Sequence, residues 1–295
     1  MTNYQKIKLA HIVAFISVFV TLTYAFDPLL LLIGLLVSWV FWCMGLAVCL
    51  HKYTSHRTFE AKNILIKYII LWFGTTLTMG STINFAAGHR QHHRYADTPE
   101  DPYCLTGNFW HKIKLFFYWF PTYKISPLII KDLLRDKEHT FFNDNYWKIL
   151  AVYPVVLLLI NPVWFGYFYA LPVVYTVLGM GYVTVWAHTS SFQKYGTKPY
   201  ETTDNSWNSK LFAVLLAGEG YHNTHHAFPG KYNYEKAGEW ISKYISHPVD
   251  FVKQPDLVAT PTAAALSSIW YWKTFVSPRT KSFANTKQVT KNINP

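Results

Sequence analysis

Long uncharged stretches alternate along this chain with short polar segments that carry histidines. Residues 9–26 offer 18 positions without Asp, Glu, Lys or Arg, residues 29–50 offer 22, and residues 149–187 offer 39. A helix needs about 20 mainly apolar residues to cross the hydrocarbon of a bilayer. The first two runs therefore predict one span each, and the third predicts two. Asp27-Pro28 and Asn161-Pro162 supply turn chemistry at the breaks, which gives two hairpins with spans at about 9–26, 29–50, 146–161 and 164–187. Tyr146 and Trp147 suit a membrane interface. Lys6 and Lys8 precede the first span, Lys52, Arg57 and Lys62 follow the second, and neither hairpin turn carries a basic residue. That bias sets the N-terminus, the middle and the C-terminal third on the cytoplasmic side. A basic start before an apolar run also opens a signal peptide, but no small-residue cleavage site follows, and a retained span is expected.

One further apolar stretch, residues 64–87, is interrupted by Lys67, Gly74 and Gly80. If it crossed the bilayer, the histidines before and after it would fall on opposite faces, so an interfacial or re-entrant helix is expected over about 64–87. The expected fold class is thus an all-α integral membrane protein, with four transmembrane helices in two hairpins beneath a cytosolic helical cap. Residues 51–145 and 188–272 form that cap, residues 1–272 form a single domain, and the basic tail 273–295 is loose and solvated.

Composition agrees: of 295 residues, 51% are hydrophobic, 18% aromatic and only 15% charged, more apolar than an ordinary soluble domain. The net charge of +11 suits anionic headgroups, nucleic acid or a phosphorylated substrate equally well. Charge alone does not choose among them. Cys43, Cys49 and Cys104 are odd in number and two lie in an apolar run, which excludes a disulfide framework and points to small buried apolar residues.

The histidines change the picture. Nine of the 13 fall in four places: His51 and His56 after the second span; His89, His92 and His93 in the middle; His188 at the end of the last span; and His222, His225 and His226 further on. On an α-helix, positions i, i+3 and i+4 share a face, so each triplet is expected to present three imidazoles toward one point. His51 and His56 are five apart, about 140° around an ideal α-helix, so they straddle the site or sit where the helix bulges or ends. Imidazole suits Zn, Cu, Fe and Ni, and nine ligands exceed the four to six that one ion takes, so two metals are expected. An almost wholly neutral nitrogen ligand set leaves a high-valent metal electron-poor, as an oxidant of unactivated C–H bonds must be. Outer-shell candidates that orient metal-bound imidazoles are Asp97, Glu100, Asp101, Asp204, Glu219 and Asn223. His11, His111, His139 and His247 are expected as hydrogen-bonded core residues.

Four segments carry a resemblance: "HKYTSH", "GHRQHHRYADTPEDPY", "YETTDNSWN" and "GEGYHNTHHAFP". Over roughly residues 8–232 the chain resembles the membrane fatty acyl desaturases, nearest the branch typified by stearoyl-CoA desaturase. The resemblance implies a di-iron centre held by His51, His56, His89, His92, His93, His188, His222, His225 and His226. It also implies O2-dependent insertion of a cis double bond, of the delta-9 type, into a saturated fatty acyl thioester lying in an apolar tunnel. The implied partners are a fatty acyl-CoA or acyl-lipid substrate, membrane lipid and a separate electron donor of ferredoxin, rubredoxin or cytochrome b5 type, with no nucleic acid. The active site is implied on the cytoplasmic side, and the short N-terminus without a retention signal favours a bacterial inner membrane over the endoplasmic reticulum. Departures from the family pattern are Thr184 where an Asn is usual four residues before His188, Phe85 where a Trp is common, and "GKYNYEKAGEW" after the third box.

Two alternatives stand beside this expectation. A hydroxylase, ketolase or decarboxylase would use the same histidine boxes. A non-catalytic zinc-binding or pH-sensing membrane protein would use the histidines differently.

Overall fold

The computed structural model describes residues 2–119, 125–189, 195–230 and 276–278. Most of the cap expected beyond residue 230, His247 and nearly all of the expected tail lie outside the described residues. Helix α1 (Asn3–Tyr24) opens on a capping box between Thr2 and Gln5, which satisfies two N-terminal donors at once. Asp27 accepts the amides of Leu29 and Leu30 at 2.8 and 2.9 Å, and Pro28 occupies the first position of α2 (Pro28–Phe41). The proline's missing N–H would have had no helical partner there. Without a break, α2 becomes a π-helix over Trp42–Ser55. The helix expected to end near residue 50 therefore carries its winding to the first histidine pair.

Helix α3 (Ile64–Thr76) is separated from α4 (Thr82–Tyr95) by a tight turn, so the single helix expected over 64–87 is two. Thr78 at φ 63 and Gly80 at φ 90 make the break, and Ser81 caps α4. At 13 residues, α3 is about 20 Å long, shorter than the roughly 30 Å of a bilayer's hydrocarbon core. His11 holds this turn, its Nε2 2.9 Å from the Thr78 carbonyl while its Nδ1 accepts from Trp119. His111 contacts the Cys104 carbonyl and His139 lies 3.1 Å from Asp136, the hydrogen-bonded settings expected of these histidines.

Helix α5 (Phe109–Phe116) is followed by a 3-10 turn (Pro127–Ile130), α6 (Lys131–Leu134), α7 (Lys137–Asp144) and α8 (Tyr146–Ile160). Asn161 caps α9 (Pro162–Phe165), which runs through a π-turn (Gly166–Ala170) into α10 (Leu171–Thr184) and a 3-10 turn (Trp186–His188). Helices α11 (Lys210–Leu215) and α12 (His222–Ala227) complete the described helices. Strand β1 (Phe59–Ala61) pairs antiparallel with β2 (Val276–Pro278) in the register Phe59 to Pro278.

Among the described residues, three helices are long and apolar enough to cross a membrane: Asn3–Tyr24, Pro28–Ser55 and Pro162–His188. The span expected at 146–161 is the 15-residue α8, shorter than the roughly 20 residues a crossing needs. Leu9, Ile16 and Phe19 of α1 and Leu29, Leu32 and Leu36 of α2 point outward, as lipid-facing residues do. The core joins the π-helix to α10 through Trp42, Leu46, Leu50, Val173, Val177 and Met180. The helices approach so closely at Gly179 that a Cβ there would lie 2.5 Å from the Trp42 ring, the small-residue packing typical of membrane helices. All three cysteines are free and buried, as their apolar setting predicts.

Candidate metal centre

The π-helix resolves the five-residue spacing. Its hydrogen bonds run from i to i+5, and the amide of His56 donates directly to the carbonyl of His51 at 3.1 Å. Residues five apart then stack on one face, and the His51 and His56 rings lie 4.9 Å apart.

The nine histidines gather into two adjacent groups. His51, His56, His89, His93 and His225 form one, His92, His188, His222 and His226 the other, and within each group the ligand atoms lie within 4.8 Å of one another. The expectation that each triplet faces one point needs correction. On α4 the i, i+4 pair His89 and His93 joins the five-histidine group, while His92 joins the other. On α12 the i, i+4 pair His222 and His226 joins the four-histidine group, while His225 crosses to the first. Adjacent histidines thus divide between two neighbouring centres, with the His93 and His226 rings 4.6 Å apart.

Within the groups the Nε2 atoms converge. In the first, His51 to His225, His56 to His89, His89 to His93 and His93 to His225 are 2.9, 2.8, 3.1 and 2.7 Å. In the second, His92 to His226, His188 to His222 and His222 to His226 are 3.3, 2.7 and 3.1 Å. Two nitrogens each about 2.0–2.1 Å from one ion, at angles between a right angle and tetrahedral, would stand about 2.9–3.4 Å apart. Lone pairs aimed at each other so closely are stabilised by a cation between them.

Carboxylates fix the other ring nitrogen. Asp101 meets His92 Nδ1 at 2.9 Å, Asp204 meets His226 Nδ1 at 3.1 Å, Asp97 meets His188 Nδ1 at 3.4 Å, and Glu219 meets His51 Nδ1 at 2.5 Å. A proton held at Nδ1 leaves Nε2 as the free donor toward the metal position. Each carboxylate is itself braced. Asp101 accepts the amides of Tyr103 and Asp97, Asp97 accepts the amide of Asn205, and Asp204 accepts from Thr202 and from the amide and hydroxyl of Ser206. Asn223 does not meet an imidazole. Its amide bonds Tyr200, Thr202 and Ser206 and so fixes the loop that carries Asp204. Among the Glu100 contacts, its carbonyl accepts from Gln91 and its carboxylate from Thr98. Sequence reasoning passed over Asn208, which holds Thr224 of α12 through two hydrogen bonds, and Arg90, which joins the first and second boxes. The quoted "YETTDNSWN" segment was the available signal for Asn208.

Protonation favours ligation. Burial, reinforced by neighbouring imidazoles, holds His56, His89, His93, His222 and His225 well below the usual histidine pKa. Burial pushes His226 down to about 4 against the opposing pull of Asp204. Although burial alone would raise it, hydrogen bonds from His226 and Ser206 hold the Asp204 carboxyl far below the carboxylate range. These six imidazoles are therefore held neutral, with the Asp204 carboxylate ionised behind His226, and neutral imidazole suits borderline first-row metals. A small apolar cavity touches both groups: His51 and His89 face it from one, His92 and His222 from the other, and Leu46, Phe85 and Met180 form its apolar wall.

The family profile for fatty acid desaturases matches residues 26–242. The chain belongs to the fatty acid desaturase family. It is an oxidoreductase of lipid metabolism, and its apolar helices fit the family's association with membranes. Among its relatives, the sn-1 stearoyl-lipid 9-desaturase of Anabaena variabilis is 29% identical over 70% of this chain and 74% of its own length. The sn-2 palmitoyl-lipid 9-desaturase of a Nostoc species is 28% identical over 79% of this chain and 84% of its own. A delta(9)-fatty-acid desaturase of Caenorhabditis elegans is 28% identical over 66% and 60%.

Proposed function

We propose that this desaturase inserts a cis double bond of the delta-9 type into a saturated acyl chain, carried as a lipid or CoA ester, at a di-iron centre held by the nine histidines. The observation that carries the reading is the convergence of nine Nε2 atoms into two touching groups that share one apolar cavity. The acyl-lipid and CoA alternatives follow from relatives of both kinds.

Bound in these groups, iron would supply the oxidising power that lets O2 accept two hydrogens from adjacent acyl carbons, together with two external electrons and two protons, to give two waters. The chain's own residues do the rest. Leu46, Phe85 and Met180 bind the acyl chain and exclude water beside His51, His89, His92 and His222. Asp97, Asp101, Asp204 and Glu219 hold protons at Nδ1 and keep each ring aimed. The two electrons come from a separate donor of ferredoxin, rubredoxin or cytochrome b5 type, and a net charge of +11 suits an acidic one.

The topology that goes with this reading has four spans in two hairpins, with α8 as the fourth and the histidines on the cytoplasmic side. Its support is the outward apolar face of α8, including Val152, Val155 and Leu159, and the basic residues confined to one side of the turns. Expression in a host with a simple lipid profile tests the function: gas chromatography should show a new cis-monoene that disappears in His222→Ala. A product that gains oxygen instead of losing two hydrogens would overturn desaturation in favour of hydroxylation.

A further inference from the structure

Arg90 lies on α4 between the ligand candidates His89 and His93, yet its side chain points away from the metal centre and into the end of the π-helix. All of its hydrogen-bonding capacity is used. Nε donates to the Ser55 carbonyl at 2.7 Å, Nη2 to the Thr54 carbonyl at 2.9 Å, and Nη1 to the Ile129 carbonyl at 2.7 Å. Asp132 takes the remaining fork in a bidentate pair at 2.6 and 3.0 Å, and Arg57 lies 3.4 Å from the same carboxylate. The last carbonyls of a helix have no partner within it, and a cation there is favoured by the helix dipole. Here the guanidinium fills both needs for the π-helix that carries His51 and His56.

The position of these bonds decides what they hold. The Ser55 carbonyl belongs to the peptide unit that ends in the His56 amide, and Arg90 is one residue from His89. The His56 and His89 Nε2 atoms, 2.8 Å apart, are therefore braced through a short covalent path on each side of one guanidinium. Among the described residues the four-histidine group is held differently: Asp97, Asp101 and Asp204 meet its rings, and Asn208 holds α12. Arg90, although two residues from His92 on α4, spends its five donors on Ser55, Thr54, Ile129 and Asp132.

We infer that Arg90 is a positioning residue for the five-histidine group alone, locking the π-helix that bears His51 and His56 against the α4 face that bears His89 and His93. This rests on the reading of both groups as metal sites. Lysine does not replace it, because a point charge with three donors cannot hold three carbonyls and a carboxylate fork at once.

Iron counting on the full chain tests the inference. Wild type, Arg90→Gln, Arg90→Lys and Asp132→Asn are purified in detergent, loaded anaerobically with ferrous iron, dialysed and measured by plasma mass spectrometry, with circular dichroism as the check on folding. Wild type should hold two irons per chain. The Arg90 variants should fall toward one, and Asp132→Asn should weaken the lost site by about tenfold, at the low end of what outer contacts contribute to metal affinity. The site that empties is identified by a second substitution. Adding His56→Ala to Arg90→Gln should leave the count at one, whereas adding His222→Ala should take it to zero. Retention of two irons by both Arg90 variants overturns the inference, and so does loss of both irons in equal proportion, which is what a merely structural role produces. If Arg90→Gln does not fold, Arg90→Lys and Asp132→Asn carry the same comparison. A wild type that binds no iron overturns the metal reading itself, an outcome distinct from either.

Discussion

The amide of His56 donates to the carbonyl of His51 at 3.1 Å, and the two rings stand 4.9 Å apart on one face of a π-helix. In an α-helix the same spacing would turn them about 140° apart. The wide winding is thus what makes a five-residue spacing useful. It also explains why the π-helix ends where the histidines end: Ser55 Oγ donates back to the Leu50 carbonyl, and Arg90 takes the next free carbonyls.

Register in this helix should therefore be intolerant of insertion. One alanine added between His51 and His56 turns His56 away from the group by about one residue of helical rotation. The iron count should fall from two per chain toward one, with the four-histidine group still occupied. Full occupancy in the insertion variant would show that the winding does not set the ligand geometry.

Asp204 is buried and bridges His226, Thr202 and Ser206. In Asp204→Asn the charge that holds the Nδ1 proton of His226 is gone while the side-chain volume is kept. Iron affinity at the four-histidine group should weaken by about 10- to 100-fold, read by competition with a chelator of known affinity. An unchanged affinity would mean that Asp204 serves the loop and not the ring.

Gly220 stands between Glu219 and the histidines of α12, where the chain crosses α11. A Cβ there would lie 2.1 Å from the Ala213 amide nitrogen and 2.4 Å from the Phe212 carbonyl carbon, and backbone atoms cannot rotate away. Gly220→Ala should cost about 1–3 kcal/mol, as overpacking does, and should displace Glu219 and His222 together. Lower thermal stability with reduced iron content is the expected result. A wild-type melting temperature would refute the contact.

Thr184 occupies the position where the resembling branch carries Asn, and it borders the cavity. Its hydroxyl donates to the Met180 carbonyl at 2.8 Å, one turn back in its own helix, so it is already engaged. The Leu115 carbonyl lies 3.4 Å from the same hydroxyl, and Thr184→Val keeps the shape while removing only these contacts to backbone carbonyls. Turnover should stay within a few-fold of wild type, and a loss of tenfold or more would assign the hydroxyl a role in the cavity.

The histidine boxes were legible because residue type and spacing alone mark them, and the apolar runs were legible because a bilayer demands length. The division of each triplet was not. A helical wheel assigns His89, His92 and His93 to one face, and only the arrival of α12 from the opposite side shows that the face looks at two centres. The break between α3 and α4 hid in an apolar stretch, since Thr78 at φ 63 is a backbone state that a threonine does not advertise. Asn223 looked like an outer contact because it adjoins His222, but a helix points neighbouring side chains in different directions, and its amide serves the Tyr200–Ser206 loop. Arg90 was concealed by its company, a basic residue among histidines whose partners are backbone carbonyls that no sequence pattern announces.

Acid should undo the site before it undoes the rest of the protein. Burial first, and neighbouring imidazoles second, depress His56, His89, His93, His222 and His225 below the ordinary value of 6.5. The unfolded chain therefore binds more protons than the folded one once the pH drops under about 6.5. Stability of the metal-free protein is then fully present above that value and declines as pH falls, by about 1.4 kcal/mol per pH unit for each histidine that must stay neutral. Asp97 and Asp204 shift in the stabilising sense for carboxylates, burial being outweighed by their histidine partners. Their contribution is present above about 3.8 and is lost only in stronger acid. Denaturant melts of the metal-free protein between pH 7.5 and 5 should show a steep fall in stability, and bound iron should be released over the same interval because protons compete for Nε2. A flat profile across that interval would mean the imidazoles are not held neutral by the fold.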